Sequence, residues 1–220
     1  MRKRSFSEYN PAEGVEVETE PGSRGRVLRN RLHITRKRDM YQAEFEALLR
    51  VQEAYSHIIT ADTRFTSALL RQMHRDWLGE IYEWAGTYRT VEMSKGGFAW
   101  PPALRVESNM EALETGLLRR RTPCQPAPLP DVARRIAEVH AELLLIHPFR
   151  DGNGRLARWL GSLMAQQAGY PPPLMRFSGR DSKSERERYL YAVQQGYLQN
   201  YPALTDFFRE TIERRLSSSD

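Results

Sequence analysis

Two strongly apolar helical patterns lie on either side of a short glycine-containing turn, and this pair constrains the fold more than any other part of the sequence. Apolar residues recur at helical spacing before the turn and again after it, as expected for one face of an α-helix. They are Val132, Ile136, Val139, Leu143 and Leu144 before the turn, and Leu156, Trp159, Leu160, Leu163 and Met164 after it. Asp131 is placed to cap the first helix and Gly169 to close the second. We therefore expect both helices to lie at the centre of a helical core.

Helical patterns elsewhere in the chain surround this pair. One stripe follows Asp39, with Thr35 as a candidate N-cap, and another follows Thr66 and is expected to end at Gly86. The first stripe consists of Tyr41, Phe45, Leu48, Leu49 and Val51, and the second of Leu69, Leu70, Met73, Trp77, Ile81 and Trp84. Further patterns cover residues 106–118, 184–199 and 203–216. The sequence therefore predicts six or more helices.

One segment favours strands over helix. It begins with Thr87, Tyr88, Thr90 and Val91, which prefer extended backbone, and Gly96 and Gly97 form a hairpin turn signal. Pro101 and Pro102 end the segment. The fold class that we expect is therefore all-α, a helical bundle with one β-hairpin.

The chain has the length of one domain, and its ends are predicted to be less regular than its middle. Residues 1–38 combine many charges and chain-breaking Pro and Gly with few large apolar side chains, so we predict a mobile or draped arm there. The domain is placed at residues 39–216 and a tail at 217–220. The sequence has no apolar run of membrane-spanning length and its N-terminus lacks the apolar core of a secretory signal, so we expect a cytoplasmic protein without membrane contact.

The cysteine content and the net charge of the chain limit the kinds of site that it can contain. The single cysteine, Cys124, lies in a proline-rich connector, which excludes an internal disulfide and a cysteine-based zinc site. The net charge of +5 is compatible with nucleic-acid binding, but Arg and Lys are spread over the whole chain and mixed with Glu. We therefore favour a solvated basic surface over a nucleic-acid interface. A basic site for a small phosphate ligand is consistent with the same charge.

The turn between the central helices reads H-P-F-R-D-G-N-G-R-L-A-R, from His147 to Arg158, and suits a polyphosphate. Its glycines allow backbone angles that side chains forbid, and the helix start that follows exposes N–H groups, so the loop can form an anion nest. Arg155 and Arg158 lie one turn apart on one helix face and can reach phosphate oxygens.

Two further side chains of the turn are suited to metal binding and to proton transfer. Asp151 is placed to hold the Mg²⁺ that normally accompanies a polyphosphate. His147, with an ordinary pKa of about 6.5, can accept a proton from a hydroxyl at neutral pH. Each of these residues alone also fits a plain helix-turn-helix connector with His147 as its C-cap, but their joint occurrence favours a catalytic site. His74 is instead interpreted as a packing or capping residue.

The stretch resembles the Fic signature, H-x-F-x-(D/E)-G-N-G-R-x-x-R, at every fixed position. The resemblance extends upstream to I-Y-E-W-A-G-T-Y-R and S-K-G-G-F-A-W-P-P, and it covers the chain from about Leu32 to the last helix. It implies a Fic-type helical bundle with a β-hairpin flap over the active-site loop. It also implies an enzyme that transfers a nucleotide monophosphate, most often AMP from ATP, to a Ser, Thr or Tyr hydroxyl of a target protein.

The same resemblance implies a role for each residue of the turn. His147 would deprotonate the target hydroxyl, and Asp151 would hold Mg²⁺ on the α and β phosphates of the co-substrate ATP. The phosphates would be bound by Asn153 and the amides of Gly152 and Gly154, by Arg155 at the β and γ positions, and by Arg158 at the γ position. The flap would align a segment of the target by strand addition, and it consists of Met93, Ser94, Lys95, Gly96, Gly97, Phe98 and Ala99.

The sequence does not decide how the activity is regulated or which group is transferred. Many Fic enzymes carry an inhibitory helix with the motif (S/T)-x-x-x-E-(G/N), and neither Glu13 nor Glu210 has the neighbours that this motif requires. We therefore expect any inhibitor to be a separate small antitoxin-like protein that presents a glutamate to Arg158. The alternatives are transfer of UMP or GMP, transfer of phosphate or phosphocholine, and a non-catalytic module that binds nucleic acid or protein. Self-modification is compatible with all the transfer reactions.

Overall fold

Helices make up most of the fold, and a single small hairpin is its only sheet in the described residues. The computed structural model describes residues 16–178 and 182–218. Its helices of eight or more residues are α1 (Lys37–Ser56), α2 (Ser67–Leu78), α3 (Val106–Leu113), α4 (Leu129–Ile146), α5 (Asn153–Gln167), α6 (Ser182–Tyr197) and α7 (Pro202–Leu216). Short helical segments precede α3 at Ala103–Arg105 and continue it at Glu114–Leu118 and Arg119–Arg121. The strands are β1 (Ser94–Lys95) and β2 (Phe98–Ala99). The structure therefore confirms the predicted all-α class with one hairpin.

The central position predicted for the helix before the turn is confirmed. Helix α4 packs against α3, α5, α6 and α7, and its inward residues Val132, Ile136 and Val139 are completely buried. The predicted N-cap at Asp131 is wrong, because α4 already begins at Leu129, with Pro130 in its first turn. Proline suits this position because its fixed φ angle matches a helix start and its missing N–H has no partner to lose there.

The buried face predicted for α1 is wrong by part of a turn. Of the predicted residues, Val51 is buried as expected, but Tyr41, Phe45 and Leu49 are each half exposed. The rest of the buried face consists of Met40, Glu44, Ala47 and Tyr55. The prediction failed because it counted only apolar residues, whereas the buried face contains Glu44, a carboxylate that finds partners inside the protein. Thr35 is not the N-cap either, since α1 starts at Lys37 after Arg36 and has no side-chain cap.

Helix α2 is shorter than predicted. It ends at Leu78, before Gly79, a residue type with low helix propensity. Ile81 and Trp84 are buried as expected, but they lie in irregular chain beyond the helix. Gly86 is therefore not a helix stop; with φ +77° it forms a turn whose N–H donates to His74 Nδ1.

The described part of the N-terminal arm lies on the domain. Val27 is buried, and the backbone N–H of Arg31 donates to the carbonyl of Ile81 at 2.8 Å. Residues 1–15, including Glu13, lie outside the described residues, so the boundary at residue 38 stays a prediction. In residues 16–178 and 182–218, no helix combines the length and the apolar composition that crossing a membrane requires.

Candidate active site

The turn between α4 and α5 brings the predicted site residues together. His147 follows the last residue of α4 in a left-handed conformation, with φ 52°, and Asn153 is the first residue of α5. Between them, Asp151 lies at the bend and Gly152 takes φ +84°. One short segment therefore carries the candidate base, the candidate metal ligand and a helix start of the kind that suits an anion.

The surroundings of His147 prepare its ring to accept a proton. Nδ1 lies 3.2 Å from the carbonyl oxygen of Leu144, and because a carbonyl can only accept, the proton of the neutral ring is on Nδ1. The lone pair is then on Nε2. The Trp100 ring packs on the imidazole with a centroid distance of 4.0 Å. Burial lowers the pKa of His147 to about 4, so the ring is neutral at physiological pH.

Arg89, a residue to which the sequence assigned no role, holds the backbone around His147. Its side chain is buried, Nε donates to the His147 carbonyl at 2.7 Å, and the guanidinium also donates to the carbonyls of Val91 and Pro101 at 2.8 and 2.6 Å. Val91 and Pro101 flank the hairpin. One side chain therefore connects both ends of the hairpin to the end of α4.

The hairpin has the turn that the sequence predicted, and aromatic packing anchors it beside His147. Ser94 pairs with Ala99 and Lys95 with Phe98, and the turn lies at Gly96 and Gly97. The Phe98 ring stacks on Tyr197 of α6 at 5.1 Å, and Trp100 Nε1 donates to the Leu144 carbonyl at 3.0 Å. These contacts place the hairpin next to the candidate base.

His74 packs as expected, and it also holds the loop. Because its Nδ1 accepts from the Gly86 N–H at 2.9 Å, the proton of the neutral ring is on Nε2, which donates to the Asp151 carbonyl at 3.0 Å. The ring stacks on the fully buried Phe149 at 3.9 Å. Burial lowers the pKa of His74 to about 4, which keeps this arrangement at neutral pH. A sequence pattern offers no signal for this contact, since it joins residues far apart in the chain.

Asn153 stabilises the turn with its side chain. The side chain is buried, accepts from the Phe149 N–H at 2.9 Å and donates to the Phe149 carbonyl at 2.7 Å. Any phosphate contact from this residue would therefore come from its backbone N–H, which belongs to the first turn of α5. Gly152 is sterically required, because a Cβ there would lie 2.8 Å from the Trp77 ring.

The two arginines of α5 have different partners. Arg155 donates to the buried carboxylate of Glu44 at 2.5 Å, lies 4.7 Å above the Trp77 ring and approaches Asp151 at 3.5 Å. Arg158 lies 5.4 Å above the Phe177 ring, and none of the ion pairs found among the described residues includes it. Both line a cavity of about 290 Å³ between α1, α5 and residues 173–177. Glu44 also accepts from the Tyr82 hydroxyl at 2.6 Å, a contact that the apolar pattern of α1 does not predict.

Asp151 fits a metal that is bound together with a nucleotide. Its side chain is half exposed, and one carboxylate oxygen accepts from the Gly152 N–H at 2.5 Å. Within the described ranges, no cluster of three or more His, Cys, Asp or Glu side chains could hold a metal by itself. Mg²⁺ is commonly held by one carboxylate together with phosphate oxygens, and this donor set matches that pattern.

Sequence comparison gives related proteins over most of the chain. Residues 64–165 match the model of the Fic/DOC family. The chain is 30% identical over 190 residues to the probable protein adenylyltransferase y4lH of Sinorhizobium fredii, a match that covers 84% of this chain and 91% of the relative. It is 27% identical over 184 residues to the protein adenylyltransferase VbhT of Bartonella schoenbuchensis, covering 78% of this chain and 37% of the relative.

Solved structures share the fold. The N-terminal Fic domain of a Bartonella effector protein from Bartonella sp. AR 15-3 has a TM-score of 0.73 at 19% identity, covering 93% of this chain and 94% of that one. BepC of Bartonella tribocorum, solved with AMPPNP, has a TM-score of 0.66 at 20% identity, covering 84% and 91%. With the Sinorhizobium relative matched over nearly its whole length and the signature intact from His147 to Arg158, the chain belongs to the Fic/DOC family.

Proposed function

We propose that this protein is a protein adenylyltransferase, which transfers AMP from ATP to a hydroxyl side chain of a target protein. The observation that carries the proposal is the neutral His147, whose free Nε2 lone pair lies in the same turn as the anion-binding start of α5. The relatives from Sinorhizobium fredii and Bartonella schoenbuchensis are named as a probable protein adenylyltransferase and a protein adenylyltransferase. The resemblance of the whole turn to the Fic signature supports the same reaction.

The proposed reaction is an in-line displacement at the α phosphorus of ATP. The hydroxyl oxygen of the target forms a bond to this phosphorus, the bond to the bridging oxygen of the β phosphate breaks, and pyrophosphate leaves. The hydroxyl proton passes to Nε2 of His147. Such a reaction depends on positioning and on neutralising phosphate charge, which the N–H groups at the start of α5 and the side chains of Arg155 and Arg158 can provide.

Asp151 is the residue that we assign to Mg²⁺. The ion supplies neutralisation of phosphate charge when bound with the nucleotide. The protein's own contribution is to fix the ligand: the carbonyl of Asp151 is held by His74, and its carboxylate accepts from the Gly152 N–H. We also assign the hairpin to target docking, since its exposed strand edge lies beside His147 and can pair with an extended segment.

Nucleotide labelled at either the α or the γ phosphorus tests the class of reaction. We expect a lysate incubated with the chain and Mg-ATP to acquire label from the α position and none from the γ position. Label from the γ position alone would show phosphate transfer and contradict the proposal. A parallel panel of ATP, GTP and UTP reports the base preference, and incubation of the chain alone reports self-modification.

We further propose that inhibition comes from a separate antitoxin-like protein that presents a carboxylate to Arg158. Supporting this, no carboxylate of the described residues pairs with Arg158, and Glu210 of α7 pairs instead with Arg188 at 2.5 Å. The cavity beside Arg158 is large enough for an incoming side chain. We expect the isolated chain to be active, with Glu13→Gly and Glu210→Gly leaving its transfer rate unchanged. A strong increase in rate in either variant would identify an inhibitor within the chain.

A further inference from the structure

Glu44 is a buried carboxylate on α1 that the proposed reaction does not use. Only 2% of the residue is exposed, and its two carboxylate oxygens have different partners. One oxygen accepts from the Tyr82 hydroxyl at 2.6 Å, and the other accepts from Nη1 of Arg155 at 2.5 Å. Among the described residues, Arg155 is the only cation that pairs with this carboxylate.

The carboxylate of Glu44 is held in place by residues of two other segments. Trp77 Nε1 donates to the Glu44 carbonyl at 2.9 Å, so α2 fixes the backbone of α1 at this position. The Tyr82 hydroxyl then orients the side chain. Tyr82 is itself buried, and its ring stacks on Trp84 with a centroid distance of 4.4 Å. The carboxylate therefore has little freedom to move.

Arg155 depends on this carboxylate for the direction of its side chain. Its guanidinium carbon lies 4.7 Å above the Trp77 ring, and Nη2 is 3.5 Å from the half-exposed carboxylate of Asp151. The contact with Glu44 is shorter and better buried than the contact with Asp151. Because the guanidinium is a rigid planar fork, a partner that fixes Nη1 also fixes the directions of the remaining N–H donors.

We infer that Glu44 is a positioning residue for Arg155, which holds the guanidinium in the direction that phosphate transfer requires. The inference rests on the proposed function, in which Arg155 neutralises phosphate charge. Negative charge accumulates on the leaving pyrophosphate as its bond to the α phosphorus breaks. A displaced guanidinium neutralises this charge less well, so the loss should appear in the rate of transfer at saturating ATP.

Variants at position 44 test this inference by the initial rate of label transfer from α-labelled ATP to a fixed amount of lysate, at saturating MgATP. Glu44→Met has an unbranched side chain of similar length without an acceptor oxygen, and we expect the rate to fall about 100-fold. Glu44→Gln keeps an acceptor for Arg155 and an amide that can donate to the Tyr82 oxygen, so the rate should fall only about threefold. Glu46→Met, at an exposed position of the same helix, is the matched control and should leave the rate unchanged.

A rate that Glu44→Met leaves unchanged, or lowers no more than Glu44→Gln does, would overturn the inference. A double-mutant cycle then shows whether Glu44 acts through Arg155. In a chain that carries Arg155→Met, adding Glu44→Met should lower the rate by less than about twofold, because the side chain to be positioned is gone. A further loss as large as the one in the wild-type background would show an effect independent of Arg155, and the inference would be wrong.

NMR of the Arg155 guanidinium requires no transfer and separates the inference from the proposed function. The signals are assigned by their loss in Arg155→Met. We expect separate Nη proton signals in the wild type and in Glu44→Gln, because a hydrogen bond hinders rotation of the guanidinium, and averaged signals in Glu44→Met. Separate signals in Glu44→Met would overturn the inference. With averaged signals there and an Arg155→Met variant that transfers at the wild-type rate, only the phosphate role of Arg155 is wrong.

Glu44→Asp provides a second variant should Glu44→Met not fold. It keeps the charge but draws the carboxylate back by one methylene group, so we expect a rate between those of the Gln variant and the Met variant, with averaged Nη proton signals. A wild-type rate together with separate signals in Glu44→Asp would contradict the inference.

Discussion

Single residues in the active-site turn work because of neighbours that fix their backbone and their protons. Gly152 shows this at the level of the backbone, since its φ of +84° is strained for other residues and a Cβ would meet the Trp77 ring at 2.8 Å and His74 Nε2 at 3.2 Å. Gly169 has the same φ angle, but nothing lies within 4 Å of its Cβ position. Both glycines need a positive φ angle, but only Gly152 must also lack a Cβ because of its neighbours.

Substituting each glycine with alanine should give two different losses of stability. Gly169→Ala should lower the free energy of unfolding by about 1 kcal/mol, the usual cost of a left-handed alanine. Gly152→Ala should lower it by about 3 kcal/mol, because the clash with two packed rings adds to that cost, and it should also abolish ATP binding. Urea denaturation and calorimetry measure both effects. Equal losses of stability would show that the turn can relax around the added methyl group.

The transfer rate should not depend on the protonation of His147 in the neutral pH range. Because burial lowers the pKa of His147 to about 4, the base is already neutral between pH 8 and pH 6. At saturating nucleotide, we expect that protonation of His147 does not lower the transfer rate over this range. The rate should fall only as the pH approaches 5 or below, where His147 becomes protonated. A decline centred at about pH 6.5 would indicate an unperturbed imidazole and contradict the geometry around His147.

Among the elements, the hairpin and α4 are coupled by Arg89. Arg89→Lys keeps the charge but cannot donate to the carbonyls of Val91, Pro101 and His147 together. The hairpin should shift relative to His147, so we expect kcat/KM for the protein target to fall about 100-fold while the affinity for MgATP stays within about twofold. The exposed Arg119→Lys is the control. A parallel loss of nucleotide affinity would show that Arg89 supports the whole site and not the hairpin alone.

The sequence predicts some properties of the helices and the hairpin and fails to predict others. The apolar patterns of α4 and α5 and the Gly96–Gly97 turn are local, and the structure confirms the elements that they predict. The inner face of α1 was not predicted, because Glu44 is buried only through partners on α5 and beyond α2. Arg89 and His74 were missed as site residues for the same reason: their contacts join segments that lie far apart in the sequence.

For the whole molecule, two completely buried histidines make stability depend on pH. The pKa of His74 is lowered to about 4 and that of His140 to about 3, whereas in the unfolded chain both are about 6.5. Below pH 6.5 the unfolded state therefore binds more protons than the folded state. Their contribution to stability is complete above pH 6.5 and declines as the pH falls, toward about 4 for His74 and about 3 for His140.

His147, whose pKa burial also lowers to about 4, adds to this effect. We therefore expect the free energy of unfolding to decrease between pH 6.5 and 5.5 by at most about 4 kcal/mol, at most about 1.4 kcal/mol for each of the three histidines. Urea denaturation at pH 7.5, 6.5 and 5.5 measures the decrease. His140→Gln keeps a hydrogen-bond donor and an acceptor but has no ionisable ring. It should reduce the dependence of the free energy of unfolding on pH by the contribution of one histidine. A stability that stays constant over this range would mean that these rings are not held neutral.

His147 is the base of the AMP transfer that we propose for this protein. The most direct test of this role is intact-mass spectrometry of the modified protein after incubation with Mg-ATP, with the wild-type chain and with His147→Ala compared in the same lysate. We expect an increase by the mass of an adenylyl group with the wild-type chain, and no adduct with His147→Ala, although that variant still folds and binds ATP. An adenylyl adduct formed by His147→Ala, or a phosphate adduct formed by the wild type, would contradict it.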